Sequence, residues 1–245
     1  MRSFLFLNLA MAAAMTAHAG EQRFASGPAR TSLVELYTSE GCSSCPPAER
    51  WLGTLRDQPG LWRDFVPVEF HVNYWDRLGW PDRFASRDFT QREYDYSSAW
   101  GAGSVYTPCV VRDGAESRVG VDLHAPAGTA PGVLTVVVGT DGKCRVEFTP
   151  VAGGRTAYEA HFAWLGGGIT SRVTAGENRG ETLRHEFVAL ALASRELVPV
   201  AGTLQSEFTR PRPADSSPPR RAIAAWVTRR GDPVPIQAVG GWLQE

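Results

Sequence analysis

The chain has 245 residues, 43% of them apolar and 21% charged, a globular balance that excludes a disordered or low-complexity chain. Its formal charge of -1 excludes a global field that would steer it to nucleic acid or to anionic lipid. No apolar run reaches the roughly 18 residues of a membrane span, so no stable membrane association is expected.

Residues 1–19 open with Met1-Arg2-Ser3-Phe4-Leu5-Phe6-Leu7, continue Ala-rich and end Ala17-His18-Ala19. One positive charge, a short apolar segment and a small-x-small site read as a cleavable signal peptide, cut after Ala19. The expected compartment is therefore periplasmic or extracellular, where disulfides persist. Residues 20–30 read as a polar tether. Ser32 to Thr38 reads as a strand, rich in β-branched and aromatic residues. Gly41 then marks a turn, and Pro46 and Pro47 suit the first turn of a helix. The helix is expected over 48–57, with Trp51, Leu52 and Leu55 on one face. Residues 65–72 read as a second strand. A strand, helix, strand unit of this length makes the two strands parallel with a right-handed crossover.

Residues 73–84 read as an aromatic-rich loop and 89–100 as a helix. Cys109 to Arg112 reads as a strand, Asp113-Gly114 as a hairpin turn, and 116–119 as the returning partner. Residues 122–132 carry Pro126, Gly128, Pro131 and Gly132 and read as a linker. Short strand-like runs follow at 133–138, 145–148, 157–164, 182–192, 203–208 and 223–228. Tyr158, Ala160, Phe162 and Trp164 alternate with Glu159, His161 and Ala163, the pattern of a half-buried strand. Arg210, Arg212, Arg220, Arg221, Arg229 and Arg230 stand among prolines and read as a solvated loop. No recognition motif accompanies them, so no nucleic-acid partner is expected.

Chemistry concentrates at Cys42-Ser43-Ser44-Cys45, between a strand and a helix. A thiol there meets unsatisfied N–H groups and the positive end of the helix macrodipole, which favour thiolate over thiol. Cys42, nearer the turn, is the expected exposed nucleophile, and Cys45 the resolving thiol. A zinc ribbon would need a second Cys or Cys/His pair at matching spacing, and the sequence has none.

Leu36 to Cys45 resembles the active-site segment of glutaredoxins and thioredoxin-fold proteins. Tyr106-Thr107-Pro108 before Cys109-Val110-Val111 resembles the cis-proline loop of that superfamily. More specifically, the chain is similar to the secreted DUF1223 family of thioredoxin-like proteins. The matching residues are Glu35 to Pro47, His71 to Trp80, Val105 to Pro108, and Gly176-Glu177-Asn178-Arg179-Gly180 through Leu183 and His185. The resemblance implies an α/β thioredoxin-like domain over 30–121. An all-β half, a small sandwich or jelly-roll-like module, is expected over 133–245. The resemblance also implies a redox-active dithiol and a cis bond at Thr107-Pro108. A thioredoxin-type sheet ends in a further helix, which 122–132 cannot form, and Cys109 is unexpected just after Pro108.

The function this suggests is thiol-disulfide exchange by Cys42 and Cys45 on protein or small-molecule disulfides. The partners would be a disulfide- or thiol-bearing protein or peptide, with a redox partner to recycle the dithiol. No organic cofactor is needed. The alternative is a binding or interaction protein on the same fold, taking a soft metal or a peptide. Cys42, Cys45 and His71 would then hold an ion such as Cu(I), or Cys42–Cys45 would be a structural clip. Pro108 over the pair argues against metal, so no metal ligand is expected.

Supporting candidates follow. The backbone of Thr107, beside Pro108, would pair with an extended substrate. His71, Asn73, Tyr74 and Asp76 lie at the C-terminal end of the second strand, the usual ligand edge of an α/β sheet. His71 is either a proton-transfer group near Cys42 or a structural histidine. Tyr74, Trp75 and Trp80 either line an apolar groove or pack the core. Glu35, if buried, would accept the proton of Cys45; otherwise it is a solvent-facing strand carboxylate. Glu177, Arg179 and His185 read as parts of a structural turn. Cys109 and Cys144 are candidates for a second disulfide. Cys109 is alternatively a buried thiol or a third redox thiol.

Overall fold

The computed structural model describes residues 20–123, 129–151, 157–209 and 218–244. The expected leader at 1–19 lies outside them, as do Pro126 and Gly128 of the expected linker and Arg210 and Arg212. The chain opens on β1 (Gln22–Ala25), inside the stretch read as a tether. Next come β2 (Ser32–Thr38), α1 (Pro46–Thr54) with a 3-10 turn over Leu55–Asp57, and β3 (Phe65–His71). Both strands are buried along their whole length, as strands covered on two faces must be. They pair in parallel, from Ser32 opposite Phe65 to Thr38 opposite His71.

A 3-10 turn at Asn73–Leu78 leads to α2 (Arg87–Trp100). The Ser86 side chain caps α2 by accepting from the Asp88 N–H, and Gly101 closes it in the left-handed region. Then β4 (Cys109–Arg112) and β5 (Ala115–Ser117) form a hairpin. Asp113 (φ 54°) and Gly114 (φ 84°) supply the two left-handed residues that a two-residue turn of this hand requires.

The remaining strands are β6 (Gly132–Val138), β7 (Lys143–Pro150), β8 (Tyr158–Gly167), β9 (Ile169–Arg172) and β10 (Thr182–His185). After them come β11 (Val188–Glu196), β12 (Val198–Val200), β13 (Thr203–Thr209), β14 (Arg220–Arg229) and β15 (Pro235–Trp242). They do not form a separate half. β15, β14, β8 and β11 join β3, β2, β4 and β5, in that order, in one eight-stranded mixed sheet. The seam is β11 beside β3, where Val188 stands opposite Glu69 and the Glu69 N–H donates to the Phe187 carbonyl at 2.9 Å.

The expected α/β thioredoxin-like domain followed by an all-β half is therefore overturned. Among the described residues the chain is mostly β, with fifteen strands against two α-helices. The physical reason is the free edge of β3. Its buried backbone groups need partners: β11 meets Glu69, while the Trp62 and Ser86 N–H groups donate to the carbonyls of Phe65 and His71. The Pro/Gly stretch at 122–132 signals a change of sheet rather than a change of domain.

Helices α1 and α2 and the eight-stranded sheet share one core, which includes Leu36, Leu52, Phe70, Phe89, Phe187 and Trp226. An antiparallel five-stranded sheet, ordered β1-β6-β7-β13-β12, packs on β8, β14 and β15 through a second core. So β8 is covered on both faces, not half-buried. His161, 8% exposed, bonds Ser194 and Thr228 and stacks on Trp226. Burial, and then the charge of Arg92, push its pKa well below the ordinary value.

Other expectations are corrected in the same way. Residues 182–192 are two strands, because Phe187 turns left-handed (φ 61°) between them. β10 pairs with β9 in a two-stranded ribbon and leaves β11 to the large sheet. Arg220, Arg221 and Arg229 lie in β14 rather than in a loop, and Arg220 lies over the Trp242 ring at 5.1 Å. Cys109 and Cys144 are not joined: Cys109 sits in the first core and Cys144 in the second. Burial pushes the Cys109 thiol up to about 12, which disfavours its thiolate. Among the described residues no helix is long and apolar enough to cross a membrane.

Candidate functional site

β2 delivers the chain through Ser39, Glu40 and Gly41 to Cys42, and Cys45 is the N-cap of α1. Prolines fill the first positions of the helix, where a missing N–H costs nothing. Cys42 and Cys45 are joined in a disulfide with Cα atoms 5.4 Å apart. The Thr107-Pro108 bond is cis, and the Thr107 carbonyl oxygen stands 3.9 Å from Cys42 Sγ. The Trp75 indole N–H donates to Thr107 Oγ1 at 2.7 Å and so fixes that loop.

The expected exposed nucleophile is not exposed. Cys42 and Cys45 are both 0% exposed, while Ser43 and Ser44 between them face solvent. The segment after β9 lies over this turn. Glu177 accepts from the Ser43 N–H (3.1 Å) and hydroxyl (2.7 Å). Those bonds hold the Glu177 carboxyl below its ordinary pKa. The Asn178 amide donates to the carbonyls of Glu40 and Cys42, each at 2.9 Å. Glu177 is thus more than part of a turn.

Glu35 is buried, but not as a free base. It accepts from Arg92 Nε (2.6 Å), from the Tyr96 hydroxyl (2.6 Å) and from the Tyr37 hydroxyl (3.2 Å). It points to the α2 face of the sheet. Thr38 and Leu36 point to the α1 face, and the Thr38 hydroxyl donates to Glu49 of α1 at 2.7 Å. The Tyr74 hydroxyl donates to Glu93 at 3.3 Å, and burial raises its pKa. Asn73 accepts from Thr90, and Asp76 accepts from the Asp82 N–H, so both serve local structure.

Glu93 of α2 sits under the cis-proline loop, accepting from the Tyr106 N–H at 3.3 Å. Burial raises its pKa to about 8, against the opposing effect of its hydrogen bonds. The folded state therefore holds this proton more tightly than the unfolded chain. Its contribution to stability is complete below pH ~4.5 and is lost as pH rises through about 8. The span amounts to roughly 5 kcal/mol. We expect the unfolding free energy of the wild type to fall more between pH 5 and pH 9 than that of Glu93→Gln. Parallel pH profiles would contradict this assignment.

The largest surprise lies beneath α1. His71 and Glu69 alternate onto the α1 face of β3, and β10 brings in His185. His71 Nδ1 is 2.6 Å from Asp82 Oδ2, and its Nε2 is 2.8 Å from Glu69 Oε1. His185 Nδ1 meets the same Glu69 oxygen at 2.8 Å. Its Nε2 stands 3.4 Å from Glu40 Oε1, and Glu49 Oε2 lies 3.9 Å from its Nδ1. All six residues are 5% exposed or less. Both ring nitrogens of His71 thus face carboxylates.

Burial opposes charge on both rings, yet Asp82 and Glu69 raise the His71 pKa well above the ordinary value. Glu69 and Glu40 likewise raise that of His185 to about 10. Burial, and then the charge of Glu69, push Glu49 up to about 7. Sequence reading missed Glu40, Glu49, Glu69, Asp82 and His185 as one group. One signal was available: Glu69 is a lone carboxylate in the otherwise apolar run Phe65 to Phe70.

Residues 33–228 match the profile of the DUF1223 family, described as a protein of unknown function. No curated protein matches the chain. Among solved structures, a crystal structure of an Agrobacterium tumefaciens protein is 22% identical. That match covers 89% of this chain and 98% of the other, with a TM-score of 0.62. HBP35 of Porphyromonas gingivalis is 14% identical over 88% of this chain and 76% of its own, with a TM-score of 0.57. At these identities the likeness is one of fold.

Proposed function

We propose that this chain, which belongs to the DUF1223 family, carries out thiol-disulfide exchange at Cys42 and Cys45 in an extracytoplasmic compartment. One observation carries the reading: a disulfide at the start of α1 faces the Thr107 carbonyl of a cis-proline loop, 3.9 Å from Cys42 Sγ. An extended peptide lying along Thr107 would present its own sulfur to Cys42. A substrate thiolate attacks Cys42 Sγ, the Cys42–Cys45 bond breaks, and Cys45 leaves as thiolate at the helix N-terminus, where the macrodipole favours negative charge. A second substrate thiol then displaces Cys42. The substrate ends as a disulfide and the protein as a dithiol, and the reverse sequence reduces a disulfide. This is the chemistry of the thioredoxin-like superfamily that the sequence resembles.

The 0% exposure of both cysteines favours a second reading, a structural bridge. The reduction potential against glutathione separates the two. Exchange predicts a value between about -120 and -270 mV, and a structural bridge one well below about -300 mV.

A further inference from the structure

We propose that Glu69, His71 and His185, with Glu49 as fourth donor, form a binding site for one divalent metal ion of the zinc class. The site is separate from the sulfur chemistry and does not depend on it. One donor atom from each of Glu69, His71 and His185 lies within 4.8 Å of the others. A tetrahedral zinc ion with bonds of ~2.0–2.1 Å sets its ligands ~3.3 Å apart. The separations here, 2.8 and 2.8 Å from Glu69 Oε1 and 3.9 Å from Glu49 Oε2, straddle that value.

The surrounding groups point the same way. Each histidine turns one ring nitrogen inward and offers the other to a second carboxylate, Asp82 at 2.6 Å and Glu40 at 3.4 Å. Carboxylate behind imidazole is the arrangement that fixes tautomer and ring orientation in metal sites. Those carboxylates are themselves held: the Trp80 indole donates to Glu40 Oε2, and the N–H groups of Glu40 and Phe84 donate to Asp82.

A third observation is independent of the hydrogen bonds. Glu69 Oε2 is buried without a hydrogen-bond partner, in a residue that is 0% exposed. A buried carboxylate oxygen without a donor is costly, and a cation would satisfy it. Among the described residues no arginine or lysine pairs with Glu40, Glu49, Glu69 or Asp82. The donors are imidazole and carboxylate without thiolate, which suits Zn²⁺ and not the Cu(I) considered for Cys42, Cys45 and His71. A groove lined by Glu49, Gly53, Gly168, Thr170, His185 and Glu186 runs beside two of the donor residues.

The test uses the full chain in its oxidised form, stripped with a chelator and titrated with Zn²⁺ and Co²⁺. We expect one equivalent of either ion, and a Co²⁺ spectrum without sulfur charge-transfer bands. Asp82→Asn is expected to weaken binding ~10–100-fold as an outer partner of His71. Glu69→Gln is expected to abolish stoichiometric binding. Failure of the wild type to take up one equivalent overturns the proposal, as does binding that a folded Glu69→Gln leaves unchanged. If the variants do not fold, X-ray absorption at the zinc edge of the wild type decides. Two imidazoles and no sulfur support the site, and a sulfur shell overturns it. Disulfide exchange is scored separately, so either reading can fail alone.

Discussion

Replacing Cys45 by Ala is expected to turn the protein into a trap, if the proposed exchange runs through Cys42. A substrate disulfide attacked by the Cys42 thiolate stays bound as a mixed disulfide, because the thiol that would displace it is gone. Replacing Cys42 by Ala is expected to abolish the proposed exchange, since Cys42 is the sulfur that faces the Thr107 carbonyl at 3.9 Å. The structure adds a condition. Both cysteines are 0% exposed, and Glu177 and Asn178 hold the turn around them. Trapping therefore requires that this segment lift from Ser43. Mass spectrometry of the non-reduced Cys45→Ala variant after incubation with a disulfide peptide reads the adduct directly. Only a low-pKa thiol alkylates quickly at pH 6, so equal and fast labelling of both thiols in the reduced wild type would contradict the order of attack.

The local elements were legible because they rest on local chemistry. Ser32–Thr38 is one strand as read, since its β-branched and aromatic residues, bounded by turns, suit a buried strand. The Asp113-Gly114 hairpin follows from two residues that tolerate a left-handed backbone. Which strands share a sheet was not legible. β11 completes the edge of β3 across more than a hundred residues, and no periodicity in either run announces the pairing. The Pro/Gly composition at 122–132 suggested a domain break where the chain only changes sheets. The signal for β1 was also absent: Gln22–Ala25 is a strand because β6 offers it an edge.

The site divides in the same way. Cys42 and Cys45 were legible because motif and spacing carry them, and the cis bond before Pro108 followed from the family resemblance alone. The carboxylate and histidine cluster was not, because it joins five separate segments around Glu40, Glu49, Glu69, Asp82 and His185. His185 reached it only because Phe187 breaks the expected strand and sends β10 to β9. Glu35 was read from its strand position, yet two of its three partners, Arg92 and Tyr96, come from α2, 57 and 61 residues further along the chain.

Glu35→Gln is expected to destabilise the protein by ~3–5 kcal/mol, without a matching loss of exchange rate in the molecules that stay folded. Glu35 is 0% exposed and the Arg92 side chain 7% exposed. The guanidinium stacks over Trp226 at 4.7 Å, donates to Tyr96 at 2.8 Å, and has Glu35 as its carboxylate at 2.6 Å. Removing the Glu35 charge leaves Arg92 buried with no counter-charge. Its pKa, which burial tends to lower and Glu35 foremost among its neighbours raises, loses that support. Against a total stability of ~5–15 kcal/mol, such a loss is visible as a large shift of the urea midpoint. A second variant separates pair from packing. Glu35→Leu with Arg92→Leu removes both charges and is expected to recover much of the stability, because an apolar pair needs no compensation. If Glu35 were instead the base that takes the Cys45 proton, Glu35→Gln would slow exchange while leaving the urea midpoint in place. The two measurements on one variant therefore decide between a buried ion pair that locks α2 to β2 and a group that acts on sulfur.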